Sequence, residues 1–180
     1  NHSESFKNSS NRWFLGAGLS SVTQKSNFSP STFKRNIYFY LAQSSMATGD
    51  YATVIEYMDK AAAANELKDG DDFLVSTSFY KYMAMRKLGK HDEAEEMIKE
   101  IPRGLDIIAN FEYDEAIRFL QGRYTRDRFV SRADSLGKYA IGMIDHFNGN
   151  DEAAIEIWKE VTAENHKGYW LAEVELAKAN

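Results

Sequence analysis

The chain of 180 residues contains no cysteine. That absence excludes disulfide frameworks, thiolate nucleophiles and cysteine-ligated zinc or iron–sulfur sites, and it fits any redox compartment. Proline is nearly missing too: only Pro30 and Pro102 occur, so long helices can run without interruption beyond residue 33. No apolar run reaches the roughly 20 residues needed to cross a bilayer. The longest uncharged stretch, Asn36 to Gly49, carries polar side chains throughout, and no membrane insertion is expected. An excess of positive charge is also lacking, with 22 basic against 27 acidic residues and a net charge of -5. Phosphate backbones require a basic face, so nucleic acid is not an expected partner. What remains, 43% hydrophobic and 27% charged residues, is the composition of an ordinary globular chain able to bury a core or three to four helical hairpins. The chain begins at Asn1 rather than methionine, so a processed or trimmed start is expected, and the compartment, cytoplasmic or periplasmic, stays open.

Residues 1–33 are rich in Ser and Asn and show neither a helical nor a strand period, and they read as an irregular leader. Its apolar anchors Trp13, Phe14, Leu15 and Phe28 are expected to pack on the helices that follow, because so many exposed aromatics are costly. Beyond the leader the chain repeats itself. Gly49, Gly89 and Gly149 each close one apolar-periodic segment and open another, in MATGDYATVIEYMDKA, MRKLGKHDEAEEMIKEI and HFNGNDEAAIEIWKEV. Glycine accepts the left-handed conformation that ends a helix, so each junction predicts a helix stop followed by a tight turn.

Aligned on these glycines, the second helices superpose. Val54, Ala94 and Ala154 share one position, Met58, Ile98 and Trp158 another, and Ala61, Ile101 and Val161 a third. Spacings of four and three place them on one stripe, which must be buried. In the first helices, a large apolar residue precedes a small one in Leu41–Ala42 and Ile141–Gly142. Lys81–Tyr82 breaks that rule, which predicts a rotated or shifted helix in the middle unit.

These residues resemble the tetratricopeptide repeat family, through YFYLAQSSMATGDYATVIEYMDKA and AIGMIDHFNGNDEAAIEIWKEV and more weakly through RKLGKHDEAEEMIKEI. The order of segments, with LDIIANFEYDEAIRFLQG before the last hairpin and YWLAEVELAK after it, is similar to an uncharacterised bacterial group of that family. The resemblance implies an all-α, right-handed superhelical stack of antiparallel hairpins with about 7–8 helices, at about 34–64, 72–101 and 131–163, preceded by the leader of residues 1–33. The chain departs from the family in spacing, since its glycines lie 40 and 60 residues apart against about 34 in family repeats. The first excess fits a longer loop at NELKDGDD, with Asp71 or Asp72 as N-cap. The second predicts an extra helix at about 112–122 with Tyr113, Ile117 and Leu120 facing inward, then a basic connector, RYTRDRFVSR. A final helix at about 169–178 would cap the stack with Trp170, Val174 and Ala177.

Such a stack turns its first helices toward a concave face. Three rows follow: Phe39, Phe79 and Tyr139; Gln43, Met83 and Met143; Met46, Arg86 and His146. They would suit a protein or peptide ligand with apolar anchors, because Met and aromatic side chains adapt to varied shapes. The same residues would equally serve as core, against Trp13, Phe14 and Phe28 or a neighbouring hairpin. Family members that grip a chaperone's C-terminal carboxylates use Lys and Asn at these inner positions, where Phe39, Phe79 and Gln43 stand here, so that ligand is not expected.

Signs of chemistry are few. His2, His91, His146 and His166 show no metal-ligand spacing, and neither metal nor cofactor is expected. WFLGAGLSS contains G-x-G-x-x-S without the strand and helix that a phosphate loop needs. Asn1, Asn8 and Asn27 begin Asn-x-Ser sequences of the kind a Ser/Asn-rich leader produces by chance. Carboxylate pairs such as Asp71–Asp72, Glu95–Glu96 and Asp151–Glu152 fit first helical turns. The leading expectation is therefore a non-catalytic binding scaffold. The alternatives are a small hydrolase or lyase with a pocket at 103–130 built on Asp145, His146 and Arg123 or Arg126, and a structural part of a larger repeat protein.

Overall fold

The computed structural model describes residues 32–64, 71–163 and 169–179. The leader with its anchors Trp13, Phe14, Leu15 and Phe28, the three Asn-x-Ser sequences, WFLGAGLSS, His2 and His166 lie outside the described residues. The described residues form nine helices and no strand, so the fold is all-α. In chain order these are α1 (Phe33–Thr48), α2 (Tyr51–Ala63), α3 (Asp72–Lys87), α4 (His91–Glu100), α5 (Phe111–Leu120), α6 (Arg126–Val130), α7 (Ser135–Phe147), α8 (Asp151–Ala163) and α9 (Trp170–Ala179). The short α6 falls in the basic connector, where no helix is expected from sequence.

Local chemistry sets the helix ends. Thr32, Asp50, Thr125 and Asp134 each accept a backbone N–H three residues on, satisfying donors that the first turn leaves unpaired. At the other end, Gly49, Gly89 and Gly149 adopt φ of 81°, 75° and 80°. In each case the next residue's N–H reaches back to a carbonyl of the last turn: Asp50 to Ser45, Lys90 to Met85, Asn150 to Asp145. A fourth junction repeats this pattern, with Gly122 at φ 71° and Arg123 N–H on the Arg118 carbonyl. The wide gap between Gly89 and Gly149 is thus divided by a further hinge, into steps of 33 and 27 residues.

The stripe on the second helices is buried at every aligned position, from Val54, Ala94 and Ala154 to Ala61, Ile101 and Val161. Each large apolar side chain removed from water contributes about 1.5–3 kcal/mol. In the first helices it is the position seven residues before the glycine, Ala42, Tyr82 and Gly142, that points inward in all three. No rotation of the middle unit is needed: Tyr82 keeps the register and Leu41 lies exposed. At Gly142 a Cβ would overlap the Trp158 ring and come within 2.8 Å of Ile157 Cγ2, so α7 and α8 approach closely only without a side chain there.

Consecutive helices pack as α1–α2, α2–α3, α3–α4, α7–α8 and α8–α9, while α1, α3, α5 and α7 neighbour one another in that order. The most enclosed is α3, buried on almost every side from Phe73 to Ala84. A helix so covered is a central element. The last helix is turned from its expected orientation. Leu171, Ala172 and Glu175 are buried, whereas Trp170 and Ala177 are exposed and Val174 is half-buried.

Candidate functional site

The nine residues of the expected binding rows divide into two groups. Phe39, Met46, Phe79, Met83, Tyr139 and Met143 are buried in the core, while Gln43, Arg86 and His146 are half-buried. Phe39 packs on Phe73 at 5.5 Å and Tyr80 at 5.6 Å between ring centroids. Phe79 packs on Tyr113 at 5.5 Å and Tyr139 at 6.3 Å. Of the two open readings of these rows, the structure places the six apolar members in the core.

Beside this core lies a hydroxyl cluster that sequence spacing does not reveal. Tyr80 Oη accepts from Gln43 Nε2 at 2.8 Å and from Tyr169 Oη at 2.8 Å, and it lies 3.3 Å from Tyr113 Oη, to which it can donate. One hydroxyl thereby uses its single donor and both acceptors. Burial raises the pKa of Tyr80, and raises those of Tyr113, Tyr139 and Tyr169 well above the ordinary phenol value. These groups are neutral polar anchors near neutral pH. Their partners lie 37, 33 and 89 residues away along the chain, so no local motif announces them.

Arg86 also serves the scaffold. Its Nη1 donates to Tyr82 Oη at 2.8 Å and Glu95 Oε1 at 2.9 Å, and its guanidinium lies 4.6 Å from the Phe147 ring centre, joining α3, α4 and α7. Asp145 and His146 do not form a couple. Arg126 grips the buried Asp145 carboxylate through Nε and Nη2, the shortest bond being 2.6 Å. His146 turns the other way, its Nδ1 2.6 Å from Asp151 Oδ1 on the first turn of α8. Proton transfer between adjacent helix positions would need both side chains aimed at one point, and here they diverge. Arg123 follows Gly122 in the α5–α6 turn, its backbone N–H on the Arg118 carbonyl.

The segment expected to hold a pocket is fastened by an acidic clasp instead. The Asp72 carboxylate accepts the N–H groups of Ile108 at 3.0 Å, Ala109 at 2.7 Å and Asn110 at 2.7 Å, and the Asn110 amide donates back to the Asp72 carbonyl. Asp71 precedes α3 as its cap residue, yet its side chain accepts from Asp106 N–H at 2.7 Å rather than from its own helix. Gln121 Nε2 then closes the C-terminal end of α4 on the carbonyls of Ile98 and Ile101. Among the described residues no group of three or more His, Asp or Glu side chains is placed to hold a metal ion, and no helix is long and apolar enough to cross a membrane. An open depression of about 550 Å³ lies over α4, lined by Asp92, Glu95, Glu96, Lys99 and Glu100.

No family model, curated protein or solved structure matches this chain. The site must therefore be read from its own geometry.

Where chemistry is sparse, surfaces count. On α1, Phe33 is 60% exposed, Ile37 39%, Tyr40 47% and Leu41 41%. Offsets of four, seven and eight residues put all of them on one helical face. This stripe was not among the expected binding residues. Its signal in the sequence is the run of large apolar residues that the hairpin register leaves outside the buried stripe.

Proposed function

We propose that this chain is a non-catalytic protein-binding module, a tetratricopeptide-like array of helical hairpins. Four hinges of one geometry, one step of 33 residues against a family value of about 34, and the succession α1, α3, α5, α7 of neighbouring first helices support that architecture. A right-handed superhelical winding of the array is part of the proposal. The apolar stripe on α1 carries the functional reading. Ile37 and Leu41, one turn apart and 39% and 41% exposed, mark an interaction surface, and their spacing fits the ridges of a partner's amphipathic helix.

The test uses Ile37→Glu together with Leu41→Glu, which face solvent and should leave the fold within about 0.5 kcal/mol of its stability. Proximity labelling in the native host, compared between the natural chain, this double variant and an α4 surface variant, Glu96→Lys, should show one partner lost only from the double variant. Equal labelling of that partner by all three would remove the stripe from the proposal. The same stripe favours a second reading, a structural part of a larger repeat protein in which a neighbouring hairpin covers α1. Intact-mass measurement of the native product distinguishes the two. The hydrolase or lyase alternative has no comparable support, since Asp145 and His146 are directed to separate partners.

A further inference from the structure

The last helix is held in an unusual way for a cap. Leu171 and Ala172 are buried, Leu176 packs on the core and the helix lies against α8, and to this hold are added polar contacts that reach far along the chain. Glu175, 4% exposed, pairs with Lys87 at the end of α3 at 2.8 Å. Tyr169, just ahead of α9, donates to Tyr80 and stacks obliquely on Tyr139 with ring centres 5.0 Å apart. Lys178 Nζ reaches Tyr51 Oη on α2 at 3.3 Å and lies 5.6 Å from that ring's centre. The helix thus sits on a seat made by Tyr51, Tyr80, Lys87 and Tyr139, contributed by three other helices.

Ten residues are too few for a helix stable by itself in water, so α9 is helical because it is docked. A buried ion pair adds little net stability over an apolar contact of the same shape, whereas an occupant lacking one partner leaves the other charge unpaired at a cost. When α9 leaves, Tyr80 keeps its bonds to Gln43 and Tyr113, and Lys87 regains water. The seat therefore survives undocking better than an apolar interface would, and the undocking is a local opening.

We propose that this seat is a second helix-binding surface, with α9 as its resident occupant, and that it accepts in trans a helix immediately preceded by an aromatic hydroxyl and carrying, six residues after it, a carboxylate for Lys87. The inference rests on the reading of the chain as a binding module but on a surface separate from α1. An incoming helix must displace α9, which makes the resident helix an internal competitor.

The test uses the full chain. A fluorescent peptide with the sequence YWLAEVELAKA is titrated into the natural protein, into Glu175→Gln, which weakens the resident helix by removing the charge that faces Lys87, and into Lys178→Ala, which loosens it from Tyr51 and removes the longer 3.7 Å ion pair with Glu175 while leaving the Lys87–Glu175 bond in place. Peptide affinity should rise at least tenfold in Glu175→Gln and measurably in Lys178→Ala. A peptide with Gln at the carboxylate position should bind each protein more weakly. Hydrogen exchange should show α9 amides opening faster in both variants while α3 and α7 stay protected. Failure of the peptide to bind where α9 exchanges freely overturns the proposal, as does α9 exchanging only together with α3 and α7. Ile37→Glu with Leu41→Glu should leave peptide binding unchanged, so the two surfaces can fail separately.

Discussion

Replacing Gly142 by alanine sets two effects of opposite sign against each other. Alanine is favoured over glycine in a helix interior by about 1 kcal/mol, so propensity alone predicts a more stable protein. The added Cβ would overlap the Trp158 ring at Nε1 and approach Ile157 Cγ2 at 2.8 Å. Trp158 cannot easily yield, because it is buried, its Nε1 points to the Tyr139 carbonyl at 3.4 Å, and the His146 ring stands 6.0 Å away. Overpacking of this kind costs about 1–3 kcal/mol, or more when the blocking group is fixed. The packing effect should win, leaving Gly142→Ala less stable by about 1–2 kcal/mol and lowering Tm by roughly 2–8 °C. Urea unfolding followed by circular dichroism measures the difference. Trp158→Phe, which removes the blocking ring edge, should shrink the penalty in a double-mutant cycle by at least about 0.5 kcal/mol. An increase in Tm for Gly142→Ala would show that α7 and α8 are not as close as described.

Other substitutions separate structural from chemical roles. Asp72→Ala should cost about 2–4 kcal/mol and speed hydrogen exchange at Ile108, Ala109 and Asn110, with Asp72→Asn intermediate because one oxygen still accepts. Asp145→Ala should lose about 1–2 kcal/mol, since it removes the buried partner of Arg126, whereas His146→Ala should stay within about 0.5 kcal/mol; equal effects from the two would contradict their separate partners. Tyr80, Tyr113, Tyr139 and Tyr169 have pKa values raised by burial from an ordinary 10.0, so the folded chain holds their protons where the unfolded chain releases them. Their stabilisation is complete below pH 10 and is lost as pH rises beyond it, and tyrosinate absorbance from these four should appear only with unfolding. Early tyrosinate formation in the folded protein would show that the hydroxyl cluster is open to water.

Helix positions were legible because they depend on short-range chemistry. Gly49, Gly89 and Gly149, where one apolar period stops and another begins, mark hinges, and the buried stripe from Val54 to Val161 follows from spacing alone. Gly122 was the exception: the expected extra helix ended on it, but the short α6 after it has too few residues to show a period. The expected face of α9 missed by one position, because Trp170 and Val174 carry the obvious apolar signal while the buried polar residue, Glu175, is selected by Lys87 across the fold. The Asp72 clasp and the Tyr80 cluster were invisible for the same reason. Their partners lie dozens of residues away, and polar side chains have no periodic signature.

The six apolar residues of the inner rows are buried, and this bears on where binding can occur. A row of inner aromatics lines an open surface only if successive first helices splay apart. Here α3 is enclosed by its neighbours, so Phe79 and Met83 have no solvent to face. Large apolar side chains meet solvent elsewhere, on α1 at Phe33, Ile37, Tyr40 and Leu41, and singly at Leu74, Leu88, Phe111 and Trp170. The last helix, α9, lies against α8, and Glu175 and Lys178 tie it to α3 and α2 by polar contacts. On the proposed reading a partner therefore meets surface already exposed at Ile37 and Leu41, whereas the seat beside Lys87 holds an occupant that must first leave.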